Sequence, residues 1–413
     1  NNRNIKADLL SQWLKQQGIN DILINKTLRE LDQAAALSEG QNLYDANKAV
    51  YSLLRYGVKD KEGAGQQNQT IQLIDWKHPE NNDFAIAEEV TIKGENNKRP
   101  DIVLYVNGIA LGMLELKRSS VSIGEGIRQN LDNQKKTFIR PFFTTMQLVM
   151  AGNDTQGLRY GTIETPEKYY LQWKEAVDNP FDSPLDWHLS LLCNKTRLLE
   201  IIHDFIVFDS GTKKTCRHNQ YSGVQAAKQH IQRREGGIIW HTQGSGKSLT
   251  MVWLAKWIRE NVTDARVLVI TDRTELDQQI EDVFKGVDEH IYRTTSGANL
   301  LTTLNETTPW LICSLVHKFS SGDDSTKAAD QFIQDLKSQL SSNFTPKGNL
   351  FVFVDECHRT QSGKLHSAMK GILPNAIFIG FTGTPLLKQD KQKSIEIFGS
   401  YIHTYKFDEA VAD

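Results

Sequence analysis

Two stretches of this chain carry residue types whose spacing can do chemistry. In the first, Thr242-Gln243-Gly244-Ser245-Gly246-Lys247-Ser248 follows the apolar run Gly237-Ile238-Ile239-Trp240 and precedes a helical pattern from Leu249. A strand, a glycine-rich turn ending in Gly-Lys-Ser and then a helix make a phosphate cradle. Glycine lets backbone N–H groups approach the anion, and the helix N-terminus adds its positive dipole end. The pattern predicts ATP binding, with Gly244, Ser245 and Gly246 lining the loop, Lys247 on the β/γ-phosphates and the Ser248 hydroxyl on Mg²⁺. The strict pattern has glycine where His241 stands. In the second stretch, Arg99-Pro100-Asp101 precedes an apolar run, and Glu115-Leu116-Lys117 closes the next one. Asp101 and Glu115 are two carboxylates able to hold Mg²⁺ beside a scissile phosphate, and Lys117 can position or deprotonate the attacking water.

Both sets need elements to hold them. Strand period two puts Glu115 and Lys117 on one face, with Leu114 and Leu116 on the other. A two-residue Asn107-Gly108 turn would set Asp101 opposite Leu114, on the wrong face. A three-residue loop, Val106-Asn107-Gly108 with Gly108 left-handed, pairs Tyr105 with Ile109 and sets Asp101 opposite Met113, on the right one. The three-residue loop, or an equivalent bulge, is therefore expected. A strict two-residue hairpin without a bulge would count against a shared metal site.

The phosphate loop needs an acidic partner at the carboxyl end of a later strand, because open α/β sheets bind ligands at that edge. Leu350-Phe351-Val352-Phe353-Val354 is a continuous apolar run, as a strand covered on both faces should be. It ends in Asp355-Glu356-Cys357-His358. Asp355 is suited to hold Mg²⁺ through water, and Glu356 to polarise the attacking water. Ile377–Phe381 ends in Thr382-Gly383-Thr384-Pro385, and Val267–Ile270 ends in Thr271-Asp272-Arg273. With Ile238–Trp240 and Leu311–Cys313, these runs alternate with helical spacing, the signature of a parallel, doubly wound sheet.

Upstream, Ile71–Ile74, Phe84–Ile92, Ile102–Val106, Ile109–Lys117 and Gln147–Ala151 read as strands, and Ile123–Phe138 has helical spacing. A mixed α/β domain is expected there. Gly57–Gln69 reads as an exposed loop, Asn179-Pro180-Phe181-Asp182-Ser183-Pro184 as a linker, and the residues after it as a helical connector.

Composition narrows the class. Of 413 residues, 39% are hydrophobic and 24% charged, ordinary values for a globular protein with two or more cores. No apolar stretch approaches the roughly 20 residues that span a bilayer, and Asn1-Asn2-Arg3-Asn4 opens no signal peptide. No membrane is expected. Cys193, Cys216, Cys313 and Cys357 form no paired motif, which suits a reducing, cytoplasmic setting. A net charge of −2 gives no global pull toward nucleic acid, so any DNA contact needs a local basic channel.

Taken together, the motifs from Gly244 to Pro385 resemble the first RecA-like domain of superfamily 2 helicases and translocases. The resemblance makes Asp355–His358 a DEAH-box variant with Cys at its third position and Thr382–Pro385 the segment coupling hydrolysis to DNA movement, which engages Thr382, Thr384 and His358. It also implies strand-tracking roles for Thr271, Arg273 and the segment Ser314–Lys318, and adenine reading by Gln220 or, as a weaker match, Gln225. Asn81-Asn82-Asp83-Phe84, Arg99–Gly108 and Leu114–Lys117 closely resemble the PD-(D/E)xK nuclease domain of type I restriction enzyme motor subunits, which precedes such a motor. That family carries Gln-x-x-x-Tyr on the following helix. Here Gln129 matches and can contact the DNA backbone, but asparagine stands at 133. Arg128, Lys135 and Lys136 are either further phosphate contacts or a solvated face.

The implied fold is a mixed-sheet, restriction-endonuclease-like domain at 1–180, a connector at 181–215 and a doubly wound RecA-like domain at 216–405. Residues 406–413 would begin the connection to a second RecA-like domain, which supplies an arginine finger in such motors. With no room for it before Asp413, the chain is expected to be an N-terminal portion that binds ATP but turns it over poorly alone. The implied partners are double-stranded DNA and the methyltransferase (modification) and specificity subunits, with ATP and Mg²⁺ as cofactors. A stand-alone helicase–nuclease, or a non-catalytic ATP-sensing, DNA-docking module, stays open at this point.

Overall fold

A computed structural model of the chain describes residues 3–37, 40–63, 65–175, 178–271, 281, 284, 290–315, 333–340, 344–355, 357, 368–384, 395, 398–406 and 409–410. The chain divides into two compact units, Asn1–Arg217 and His218–Asp413. Among the described residues no helix is long and apolar enough to cross a membrane.

The first unit opens with α1 (Ala7–Gln16), α2 (Asp21–Ala35) and α3 (Leu43–Tyr56), followed by the small hairpin of β1 (Val58–Asp60) and β2 (Gln69–Ile71). The expected loop from Gly57 is thus partly strand, because Val58 is buried and pairs with Ile71. Strand pairing also stops at Ile71, short of the expected Ile74.

A five-stranded sheet follows: β3 (Phe84–Glu88), β4 (Ile102–Val106), β5 (Ile109–Leu116), β6 (Leu148–Asn153) and β7 (Gly157–Gly161), in that order. Pairing is antiparallel except between β5 and β6, whose crossover carries α4 (Ile123–Asn133). β3 ends four residues earlier than its apolar pattern because Glu89 turns left-handed (φ 47°). β5 is buried along its whole apolar run, with Met113 packed among Val103, Tyr105, Phe143 and Val149. α5 (Pro184–Leu192), α6 (Lys195–Asp204) and the hairpin β8 (Val207–Asp209) and β9 (Thr212–Lys214) complete the unit.

The second unit is built on a seven-stranded, wholly parallel sheet. Its elements are α7 (His218–Gln232), β10 (Gly237–His241), α8 (Lys247–Asn261), β11 (Ala265–Thr271), β12 (Tyr292–Arg293), α9 (Gly297–Asn305), β13 (Leu311–Leu315), β14 (Asn349–Asp355), β15 (Ile377–Thr382) and β16 (Tyr401–Tyr405). The sheet order is β12-β13-β11-β14-β15-β10-β16. The five strands expected from the sequence are present, and β12 and β16 are added at the edges. Because every pair is parallel, the carboxyl ends of β10, β11, β14 and β15 lie along one edge. That edge carries His241, Thr271, Asp355 and Thr382.

Arg266 of β11 ties the far side of this sheet together. Buried at 2% exposure, its guanidinium donates to the carbonyls of Thr303, Leu304 and Glu306 at the end of α9, and to those of Pro309 and Lys347. Thr303, Leu304 and Glu306 stand in and just beyond the last turn of α9, and a cation there also suits the helix dipole.

Candidate functional site

Two groups of candidate functional side chains are assembled, one in each unit. In the first unit the turn between β4 and β5 is a two-residue one: Val106 pairs with Ile109, and Asn107 (φ 51°) and Gly108 (φ 80°) are both left-handed. The three-residue loop is not formed. A register shift between Leu104 and Tyr105 then leaves Leu111 as the extra residue, so Leu104 pairs with Gly112 and Ile102 with Leu114. One step further along this register Asp101 stands beside Glu115. The bulge reaches the shared face that the loop was expected to reach. The tight turn wins because Asn107 is held from three sides: its Oδ1 accepts from Asp83 N (2.8 Å), and its Nδ2 donates to Leu73 O (3.0 Å) and Asn82 Oδ1 (2.8 Å).

Asp101, half-buried, accepts the Leu116 N–H through Oδ2 at 2.6 Å. Glu115 is fully buried. Its two oxygens accept amides presented one helical turn apart on α4: Gln129 Nε2 at 2.6 Å on Oε2 and Asn133 Nδ2 at 3.1 Å on Oε1. Gln129 Oε1 in turn accepts Lys117 Nζ at 2.6 Å, so one amide bridges the lysine and the buried carboxyl. Burial, then the Asp101 charge, push the Glu115 carboxyl up to about 8; Lys117 and Asn133 oppose the shift. Two carboxylates crowded together, one of them fully buried, suit a hard divalent cation, which would relieve their repulsion. The donor set therefore fits Mg²⁺.

α4 is seated by its surroundings. Ile123 N donates to Gln156 Oε1 of the β6–β7 turn at 2.8 Å, Ser122 Oγ accepts Gly124 N, and Gly126 lies so close to β6 that an added Cβ would sit 3.1 Å from Ala151 Cβ. The helix ends at Asn133, five residues before the apolar spacing runs out, and the backbone then turns to donate Ile139 N to Asn133 O. Arg128 pairs with Glu125 and Glu167, and Lys135 with Asp132, all on the exposed face; Lys136 is exposed. Of the expected residues Asp101, Glu115, Lys117 and Gln129 come together. The contact of Asn133 is the new one, and its signal in the sequence was its spacing of four from Gln129.

In the second unit Gly244 and Gly246 are both left-handed (φ 82°), and Gly246 is the residue before α8. Ser245 is buried and folds back on Thr242 O through both N (3.2 Å) and Oγ (2.6 Å), which shapes the loop. Lys247 reaches toward the end of β15, where a Cβ on Gly383 would lie 2.6 Å from its Nζ. Ser248, half-buried, is in the first turn of α8. Asp355, 3% exposed, ends β14 in register with Phe381 of β15. Gln220 is buried against the loop itself, its Nε2 donating to Gly246 O at 2.9 Å. Gln225 lies half-buried on α7, one turn beyond Tyr221.

Thr382 is buried and its Oγ1 accepts Thr384 N at 3.3 Å, while Thr384 itself is exposed. Thr271 and Ser314 stand at the ends of β11 and β13 with buried side chains. Cys357, in the third position of the acidic motif, packs into the core so closely that a Cβ on Gly380 would lie 2.7 Å from its Sγ. Glu356, Arg273, His358 and Lys318 lie outside the described residues.

His241, which has no counterpart in the strict glycine pattern, is fully buried at the foot of the loop. Its Nε2 lies 2.9 Å from Nδ1 of His403 on β16, with the rings edge-on. Burial, then His403, Lys247 and His218, pull the His241 imidazole down to about 3, so it is neutral. In the sequence β16 is marked by the alternation Tyr401-Ile402-His403-Thr404-Tyr405, which carries no chemical motif.

Residues 1–168 match the family described as type I restriction enzyme R protein N terminus, and residues 219–413 match the SWI2/SNF2 ATPase family. The putative type I restriction enzyme MjaIXP endonuclease subunit of Methanocaldococcus jannaschii is 28% identical over 99% of this chain and 41% of its own length. The type I restriction enzyme HindI endonuclease subunit of Haemophilus influenzae is 28% identical over 96% of this chain and 40% of its own. The chain thus spans about two fifths of the length of these curated relatives. Among solved structures, a nuclease-deletion mutant of the type ISP restriction-modification enzyme LlaGI with a DNA substrate mimic aligns over 48% of this chain and 20% of that one, at TM-score 0.35 and 18% identity. The R-protein match thus falls on the first unit and the ATPase match on the second, and the curated relatives aligned over nearly the whole chain are type I restriction enzyme endonuclease subunits.

Proposed function

We propose that this chain supplies the nuclease and first motor domain of an ATP-dependent type I restriction endonuclease subunit, which translocates double-stranded DNA and cleaves it with Mg²⁺. The observation that carries the reading is the convergence on Glu115 of Asp101 from the neighbouring strand and of Lys117 through the Gln129 amide, on a chain that also carries a glycine-rich loop at the start of a helix. Asp101 and Glu115 would hold Mg²⁺, which supplies positive charge beside the scissile phosphate when bound. Lys117, oriented by Gln129, positions the attacking water, and Gln129 is also assigned a contact to the DNA backbone.

In the motor, Gly244–Gly246 cradle the phosphates of ATP, Lys247 neutralises them, and Ser248 and Asp355 take its Mg²⁺. Glu356 is assigned the hydrolytic water, and Gln220 the adenine. Thr271, Arg273, Ser314, His358, Thr382 and Thr384 are assigned to DNA tracking or coupling. We assign 1–180 to the nuclease, 181–215 to the connector and 216–405 to the motor. Partner methyltransferase and specificity subunits would choose the DNA site.

The test is cleavage of circular DNA by the complex assembled with those partners, in Mg²⁺ and ATP. Asp101→Ala and Lys117→Ala should abolish cleavage while ATP turnover persists; cleavage retained in both sinks the nuclease assignment. Lys247→Ala should abolish translocation, and translocation that survives it sinks the motor assignment. Full cleavage without the methyltransferase partner would point instead to a stand-alone helicase–nuclease.

A further inference from the structure

The residue at the foot of the phosphate loop is a bulky imidazole, and its surroundings are built around it. α7 grips both ends of the loop with residues one turn apart. Gln220 donates to Gly246 O at the head, and Gly223 faces the ring of His241 at the foot. A Cβ at position 223 would lie 2.9 Å from His241 Cε1 and 3.0 Å from its Nε2, closer than side chains pack, so glycine there is the complement of histidine here. On the other side β16 holds the same point twice: Thr242 N donates to Tyr405 O at 3.0 Å, and the two imidazoles meet at 2.9 Å.

The tautomer follows from burial. Among the described residues His241 Nδ1 is buried with no hydrogen-bond partner. A proton there would be an unsatisfied buried donor, the costlier arrangement, so the proton sits on Nε2 and is donated to His403 Nδ1.

We propose that His241 is a positioning residue for nucleotide binding: a wedge matched to Gly223 and a hydrogen-bond link to His403 that together set the phosphate loop between α7 and β16. This rests on the reading of the Lys247 loop as an ATP site. Moving the foot of the loop moves its N–H groups off the phosphates, and geometry of this kind is what a rigid shell around a site maintains.

The test is titration of the chain with a fluorescent ATP analogue and Mg²⁺, alongside its thermal midpoint without nucleotide. Gly223→Ala should weaken binding at least about tenfold, and adding His241→Ala to it should restore much of the loss, because the two changes act on one contact. His403→Leu should weaken binding, while His403→Asn, which keeps an acceptor in place of Nδ1, should bind nearly as the unaltered chain does. Should Gly223→Ala fail to fold, the His403 pair decides alone. Affinity within about twofold of the unaltered chain for His403→Leu, or a double variant weaker than Gly223→Ala, overturns the proposal. Undiminished binding by Lys247→Ala would instead overturn the ATP reading on which it rests.

Discussion

Glu115 is a carboxyl group whose neighbours disagree about its charge. Burial and Asp101 favour the protonated form, and the Asn133 amide and Lys117 favour the carboxylate, with the balance at about 8 against an ordinary 4.5. Without metal, the folded chain therefore holds a proton at pH 7 that the unfolded chain has released. The stability contributed by this group is fully present below about pH 4.5 and is lost as pH rises through about 8. Glu115→Gln removes that loss. In EDTA, urea unfolding should find the variant more stable than the unaltered chain at pH 9, on the order of a few kcal/mol, with the gap closing toward pH 4.5. The amide can keep the Gln129 contact, and Asn133 can turn its amide to accept the new donor. A variant less stable at pH 9 would refute the burial argument. The same substitution should abolish Mg²⁺-dependent cleavage, so stability and activity move in opposite directions, as expected of strained functional sites.

Elements explain which parts of the two sites could be read in advance. Motifs confined to one strand end or one turn, such as Gly244–Ser248, Glu115–Lys117 and Asp355, are legible because local chemistry and period dictate them. The face of Asp101 was legible for the same reason, but the device that puts it there was not. A longer loop and a tight turn with a bulge have the same parity, and the choice is made by Asn107 bonding to Asp83 and Leu73, 24 and 34 residues away. Gly108 is bound to that choice as well, being left-handed and close-packed, with an added Cβ 2.9 Å from Leu9 Cβ. Gly108→Ala should lower stability by more than about 1 kcal/mol in denaturant unfolding, since both strain and contact oppose it. The role of Arg266 is not legible in the sequence, because a lone arginine in an apolar strand has no signature for a helix cap. Arg266→Leu strands the end of α9 and should cost about 3 kcal/mol or more, whereas Arg266→Lys, with fewer donors and no planar fork, should recover only part. Losses below about 0.5 kcal/mol at position 266 would mean those carbonyls find water instead.

At the scale of the whole molecule, the two units have separate cores. One is built on Val103, Met113, Phe143 and Val149, the other on Ile238, Leu268, Val352 and Phe378. Their ligands would also be separate, divalent cation at Asp101 and Glu115 in the first and nucleotide at the Lys247 loop in the second. Ligand binding stabilises only the structure that makes the site, by about 2.7 kcal/mol at a concentration one hundred times the dissociation constant. Calorimetry of the chain should therefore show ATP with Mg²⁺ raising the transition that belongs to residues 218–413, and Lys247→Ala should remove that rise. Glu115→Gln should leave the nucleotide-induced rise in place while changing the metal-only response of the other transition. Limited proteolysis with and without nucleotide assigns each transition to its unit. A single transition raised equally by nucleotide and by metal alone, and affected alike by both substitutions, would mean that the two sites share one cooperative structure. The separation of chemistry by unit would then have to be abandoned.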